Sequence, residues 1–121
     1  MSDRDLGRAL VALARDAIGR QFGIAEAGAP GHSALDRPGA TFVTLIKERE
    51  LRGCVGSLEP RRALSADVRA NALAAAFRDP RFAPLAAHEF SATAVEVSLL
   101  SPQQALAFDD EGHLVRQLRP G

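Results

Sequence analysis

Glu50-Leu51-Arg52-Gly53-Cys54-Val55-Gly56-Ser57-Leu58-Glu59-Pro60 holds the only cysteine of the chain, set between two glycines. Glycine weakens a strand interior and marks a bulge or the close approach of another backbone. Upstream, residues 40–46 are rich in Val, Thr, Phe and Ile and read as a strand. A short charged connection, Lys47 to Glu50, joins the two runs, so they read as a hairpin with 51–58 as its second strand. Alternation then places Arg52, Cys54 and Gly56 on one face. A guanidinium two residues from a thiol could favour thiolate, or clamp an anion with parallel donors.

Outward from the hairpin, residues 3–22 form the clearest helix. Leu6, Leu10, Leu13, Ala14, Ala17 and Ile18 recur at three- and four-residue spacing as one apolar stripe. Ser2 or Asp3 can cap its start, and Gly23 suits a left-handed end. Residues 24–38 show no period and read as a loop; His32 within it is a solvated histidine or a ligand. Residues 64–77 read as a second helix, with Ser65 as N-cap and Asp67 in its first turn. Its many alanines allow close packing on a sheet. Asp67, Asn71 and Arg78 share a stripe that is a solvated edge or the polar wall of a cleft.

Asp79-Pro80-Arg81-Phe82-Ala83-Pro84-Leu85 is rich in turn residues, with Phe82 and Leu85 as core plugs. His88 and Glu89 fall in a short helical turn. Residues 92–100 alternate as a strand in which Glu96 needs a partner, Arg52 or Arg81 being candidates. Residues 101–110 read as a loop anchored by Leu106 and Phe108, 111–118 as a short helix, and Pro120-Gly121 as a turn. The expected fold is α+β, a single domain with a largely antiparallel sheet and helices packed on it.

Composition narrows the function classes. A chain of 121 residues suits one domain. Lys+Arg and Asp+Glu are both 15, so no net charge draws the chain to nucleic acid or an anionic membrane. Six phenylalanines, with no tryptophan or tyrosine, make a poor stacking platform for single strands. One cysteine forms no internal disulfide, and the charged start does not open a signal peptide, so the cytoplasm is expected. No run is apolar and long enough to cross a bilayer. Phosphate-loop, dinucleotide-loop and paired-cysteine spacings are all missing, so no metal and no cofactor is expected.

Three readings of Cys54 remain open. It is a packed apolar residue, with glycines that let the second helix approach. It lies in a groove that takes a partner protein or a small ligand. Or it is a nucleophile, with Arg52 holding an anionic group and Glu96 or His88 managing protons. Cys54 and Arg52 are the catalytic candidates. Gly53, Gly56, Glu59, Asn71, Arg81 and Glu96 are candidate binding residues.

The stretch Leu51–Pro60 resembles the signature of the AMMECR family, whose prokaryotic members are called AmmeMemoRadiSam system protein A. Further segments fit in order: Ala40-Thr41-Phe42-Val43-Thr44-Leu45, Asp67-Val68-Arg69-Ala70-Asn71-Ala72, Asp79-Pro80-Arg81-Phe82-Ala83-Pro84-Leu85, and Val95-Glu96-Val97-Ser98-Leu99-Leu100-Ser101. The resemblance covers nearly the whole chain. It implies an AMMECR-type domain over 1–121 that is incomplete at its C-terminus, with a strand edge or apolar face uncovered. It also implies a shared pathway with a Memo-type protein and a radical SAM protein, without naming a reaction.

Overall fold

Helix α1 (Asp3–Gln21) forms where the apolar stripe predicts it. Leu10, Ala14 and Ile18 on that stripe are buried. It ends in a Schellman motif: Ile24 N–H donates to the Gly19 carbonyl at 2.9 Å and Gly23 N–H to the Arg20 carbonyl at 3.2 Å. Gly23 takes the left-handed conformation this requires, at φ 71°. The computed structural model describes residues 3–24, 31–100, 105–108 and 114–118.

Strands β1 (Pro38–Lys47) and β2 (Glu50–Gly56) form the expected hairpin. Their register pairs Thr44 with Cys54 and Leu45 with Gly53, then shifts so that Ile46 faces Leu51. Arg52 is the extra residue of this bulge, and alternation fails there. The short strand β3 (Arg62–Ala63) pairs with the start of β1 and leads into helix α2 (Leu64–Phe77). After the short helix α3 (Ala87–Phe90) comes β4 (Thr93–Leu100), which pairs with β1 along its length. Strands β5 (Ala105–Phe108) and β6 (Leu114–Leu118) extend the sheet. The order is β2-β1-β4-β5-β6, every neighbouring pair antiparallel. The fold is α+β, as the sequence implies.

Three expectations need correction. Residues 114–118 form a strand rather than a helix, because the ladder with β5 satisfies backbone groups that a lone helical turn would leave open. Residues 105–108, read within a loop, form the strand joining β4 to β6. Ser65 does not cap α2: the cap position is Ala63, without a side-chain bond, and the Leu64 N–H donates to the Arg37 carbonyl at 2.9 Å. The loop 24–38 contains one 3-10 turn, Ser33–Asp36, capped by His32, whose Nδ1 accepts from Ala34 N–H. The Ser2 cap, the side chain of Leu106 and the turn at Pro120-Gly121 lie outside the described residues.

Helices α1 and α2 pack on the sheet face that carries Val43, Leu45, Val95, Val97 and Leu99. All five are buried. The opposite face presents Phe42, Thr44, Ile46, Cys54, Ala94, Glu96, Ser98 and Leu100, each half-buried. No helix covers that face among the described residues. None of those helices is long and apolar enough to cross a membrane.

The β1–β2 turn has Glu48 at φ 54° and Arg49 at φ 66°. Two-residue turns that match strand twist require positive φ at both central positions, which favours Asn-Gly. Here two charged residues adopt it, at a cost of about 1 kcal/mol or more each. Replacing Glu48 by Asn and Arg49 by Gly together is expected to raise stability by about 1 kcal/mol, after glycine's entropy is discounted. Thermal unfolding should shift upward by a few degrees; an unchanged midpoint would show that the turn stores no strain.

Candidate functional site around Cys54

Gly53 is where β2 meets α2. A Cβ at this position would lie inside the van der Waals shell of the Ala75 carbonyl. The atom in the way is helix backbone, which cannot swing aside, so only glycine fits. Gly56 faces the open side, where the Phe42 ring lies over it and fills the space a side chain would take. Both glycines therefore have packing roles.

Cys54 stands between them, half-buried on the open face. Its Sγ lies 3.4 Å from the Thr44 hydroxyl, directly across the ladder. Thr44 is paired on its other side with Glu96, so Cys54, Thr44 and Glu96 form one cross-strand row. The Cys54 N–H donates to Asp79 Oδ2 at 3.0 Å. Asp79, buried just past α2, also accepts from Arg81 Nη2 at 2.7 Å, from Nε at 3.0 Å and from the Arg81 N–H at 3.1 Å. These donors, Arg81 first and then the Cys54 N–H, hold its carboxyl far below the usual range. Arg81 also reaches the Cys54 carbonyl at 3.4 Å and stacks on Phe82.

Arg52 makes its ion pair away from the thiol. The bulge directs its guanidinium to Glu89 of α3, with Nε and Nη2 each 3.1 Å from the carboxylate oxygens. Lys47 donates to the same carboxylate at 3.1 Å and the Ala86 N–H at 3.0 Å. Arg52 above all, then the Ala86 N–H, draws the Glu89 carboxyl down to about 2. Neither arginine offered as a partner for Glu96 makes its ion pair there; those pairs are with Glu89 and Asp79.

A second network lies where β2 leaves the sheet. Asp67 is 1% exposed. Its Oδ2 accepts from the Thr41 N–H at 2.8 Å and hydroxyl at 2.7 Å, and from Asn71 Nδ2 at 3.1 Å. Its Oδ1 accepts from the Ser57 hydroxyl at 2.6 Å and Arg62 Nε at 2.8 Å. Burial pushes its pKa up, but the bonds from Ser57, Arg62 and Thr41 outweigh it, and the net shift is downward. Asn71 also donates to the Thr41 carbonyl and to Ser57. Asp67, Ser57, Glu59, Arg61 and Arg62 line a cleft of about 420 Å³.

The candidate residues therefore divide. Cys54, Arg81 and Glu96 share the neighbourhood of the thiol, with Arg81 acting through Asp79. Arg52 belongs to the Glu89 cluster, and Asn71 to the buried Asp67 network. Glu59 is exposed and paired with Arg61 at 2.7 Å. Asp67 and Asn71 are buried rather than a solvated edge, and Arg78 on their stripe is exposed. Sequence reasoning missed Asp79 and Glu89 as the acids that position Cys54 and Arg52. Aspartate before Pro80 and two residues before Arg81 was the available sign, since such residues bond the backbone two positions on.

An α+β domain organised on a glycine-flanked cysteine strand is the class this geometry defines. The AMMECR1 family model matches residues 11–121, and the chain belongs to this family. It is 34% identical over 125 residues to a Saccharolobus islandicus protein, covering 98% of this chain and 55% of that one. An Aeropyrum pernix protein is 40% identical over 116 residues, covering 88% and 48% respectively. The crystal structure of the uncharacterized protein PH0010 from Pyrococcus horikoshii aligns with a TM-score of 0.71 at 33% identity, over 81% of this chain and 53% of that one. The chain thus spans about half the length of these relatives.

Two measurements check the site. Gly53→Ala is expected to destabilise by about 1–3 kcal/mol, because α2 must shift to admit a methyl group; a cost below about 0.5 kcal/mol in urea titration would contradict the close approach. A carboxyl with a depressed folded pKa contributes stability above its ordinary value, and that stability is lost as pH falls. For Glu89 the window runs from its ordinary 4.5 down to about 2. Glu89→Gln should flatten the fall in stability across that window by up to about one proton, and a slope equal to the parent's would rule out the contribution of Glu89.

Proposed function

We propose that this chain is a protein-binding component of an AmmeMemoRadiSam-type system. The open sheet face around Cys54 is its contact surface, and a Memo-type protein and a radical SAM protein are its partners. The observation that carries this reading is the bonding of Cys54. The thiol lies half-buried against a hydroxyl, on a face that no helix covers among the described residues, while Arg52 and Arg81 are paired with Glu89 and Asp79. Thr44, which meets the sulfur, is neither a base nor a cation, and the nearby Arg81, which reaches the Cys54 carbonyl, makes its ion pair with Asp79. Phe42, Ile46 and Leu100, interleaved with Thr44 and Ser98, make the mixed apolar and hydroxyl surface that suits a protein contact. A reducing, cytoplasmic setting keeps such a thiol free.

The catalytic alternative keeps Cys54 as nucleophile, and one observation favours it: the residue is only half-buried. Binding of purified Memo-type and radical SAM proteins to the immobilised chain separates the two readings. Ile46→Arg should weaken binding by about tenfold or more, as disruption of a central contact does. Cys54→Ser should leave it within about threefold. Failure of both partners to bind, or binding that ignores Ile46→Arg, would sink the proposal. Loss of turnover in Cys54→Ser, with binding intact, would make the thiol catalytic.

A further inference from the structure

A second cavity, which shares Leu58 with the cleft at Asp67, lies where β1 begins and β4 ends. It encloses about 440 Å³. Leu6, Pro38, Leu64, Leu99 and Leu100 form its apolar walls. Small-molecule sites run to about 300–1,000 Å³, mostly apolar with a few placed polar groups. Two bordering residues are exposed. Arg37 is exposed, and its guanidinium pairs with no carboxylate among the described residues. Its backbone is nevertheless held in place: the N–H donates to the Ala34 carbonyl at 3.1 Å, and the carbonyl accepts from Leu64 N–H at 2.9 Å. Leu58, also at the border, is 89% exposed.

From this juxtaposition we infer that the cavity binds a small amphipathic monocarboxylate. Its apolar body lies against Leu6, Leu64, Leu99 and Leu100, Leu58 closes over it, and Arg37 holds the carboxylate. One molecule completes both features. The walls desolvate the chain of the ligand, and the guanidinium supplies two parallel donors to its head. A neutral molecule of the same shape would make no ion pair with Arg37. A bare anion would leave the apolar walls empty. The site shares no residue with the Cys54 row and does not depend on the protein-binding reading.

The test uses decanoate and decanol as probes, titrated into the isotopically labelled full chain and followed by amide chemical shifts. Decanoate should shift Gly39, Ala40 and Leu64 saturably, and decanol should bind about tenfold more weakly. Arg37→Gln should lower decanoate affinity by about tenfold and leave decanol unchanged. Ala34→Trp, which fills the cavity from the 3-10 turn, should abolish both. Thermal unfolding of Arg37→Gln should match the parent, since only the backbone of Arg37 is engaged in the fold. The inference is overturned by shifts that do not saturate, by shifts confined to Thr44, Ile46 and Cys54, or by an Arg37→Gln variant with the parent's preference for decanoate.

Discussion

The Ala75 carbonyl occupies the space a side chain at residue 53 would need, and the site is arranged from that contact outward. It brings α2 closer to β2 than two side-chain-bearing surfaces allow. The helix can accept this because its inward face is small: Ala72, Ala75 and Ala76 are at most 2% exposed and carry no bulk beyond a methyl group. A helix seated so closely carries its polar residues into the sheet as well. Asp67 reaches the Thr41 backbone, Asn71 reaches both Thr41 and Ser57, and Asp79, just past the last turn, reaches the Cys54 N–H. One absent Cβ sets the height of the helix, and the height of the helix sets the contacts of three polar residues.

Those contacts follow one pattern. Asp67, Asp79 and Glu89 each accept at least one backbone N–H and at least one arginine. Each is drawn below its ordinary pKa despite some burial. A carboxylate in that state is a poor general base near neutrality, because its proton affinity is too low to take a proton from a thiol or hydroxyl. It makes a good staple, because charge and backbone bonding act together. The acids nearest the Cys54 strand are thus built to hold geometry. Asp67 ties the departing end of β2 to α2, Asp79 holds the middle of β2 at Cys54, and Glu89 holds its bulged start through Arg52.

Much of this was legible beforehand. Period and composition identified α1, α2, the hairpin and β4, because each is long enough to show its pattern. The two glycines beside Cys54 signalled a close approach, and Gly53 supplies it. Strands β5 and β6 escaped because four or five residues carry no decisive period and exist only through pairing. The neighbour relation of Arg52 and Cys54 failed for a related reason. Alternation assumes an unbroken ladder, and nothing in Glu50-Leu51-Arg52 announces a bulge. The acids that answer Arg52 and Arg81 were hidden differently: Asp79 lies two residues from its arginine, whereas Glu89 lies far along the chain from Arg52, where spacing holds no information.

The bulge also decides what kind of surface the cysteine occupies. Without it, alternation would put a guanidinium beside the sulfur on the open face, and the strand would resemble an activated-thiol site. With it, that charge goes to Glu89, and the row left on the open face is Cys54, Thr44 and Glu96, bordered by Phe42 over Gly56. Such a row is distinctive in shape. The glycine keeps it flat at one end, the phenylalanine raises a ridge, and the thiol and hydroxyl present small, weakly polar groups between them. On the proposed protein-binding reading, that surface is recognised by its shape and by matched weak bonds rather than by bond-making.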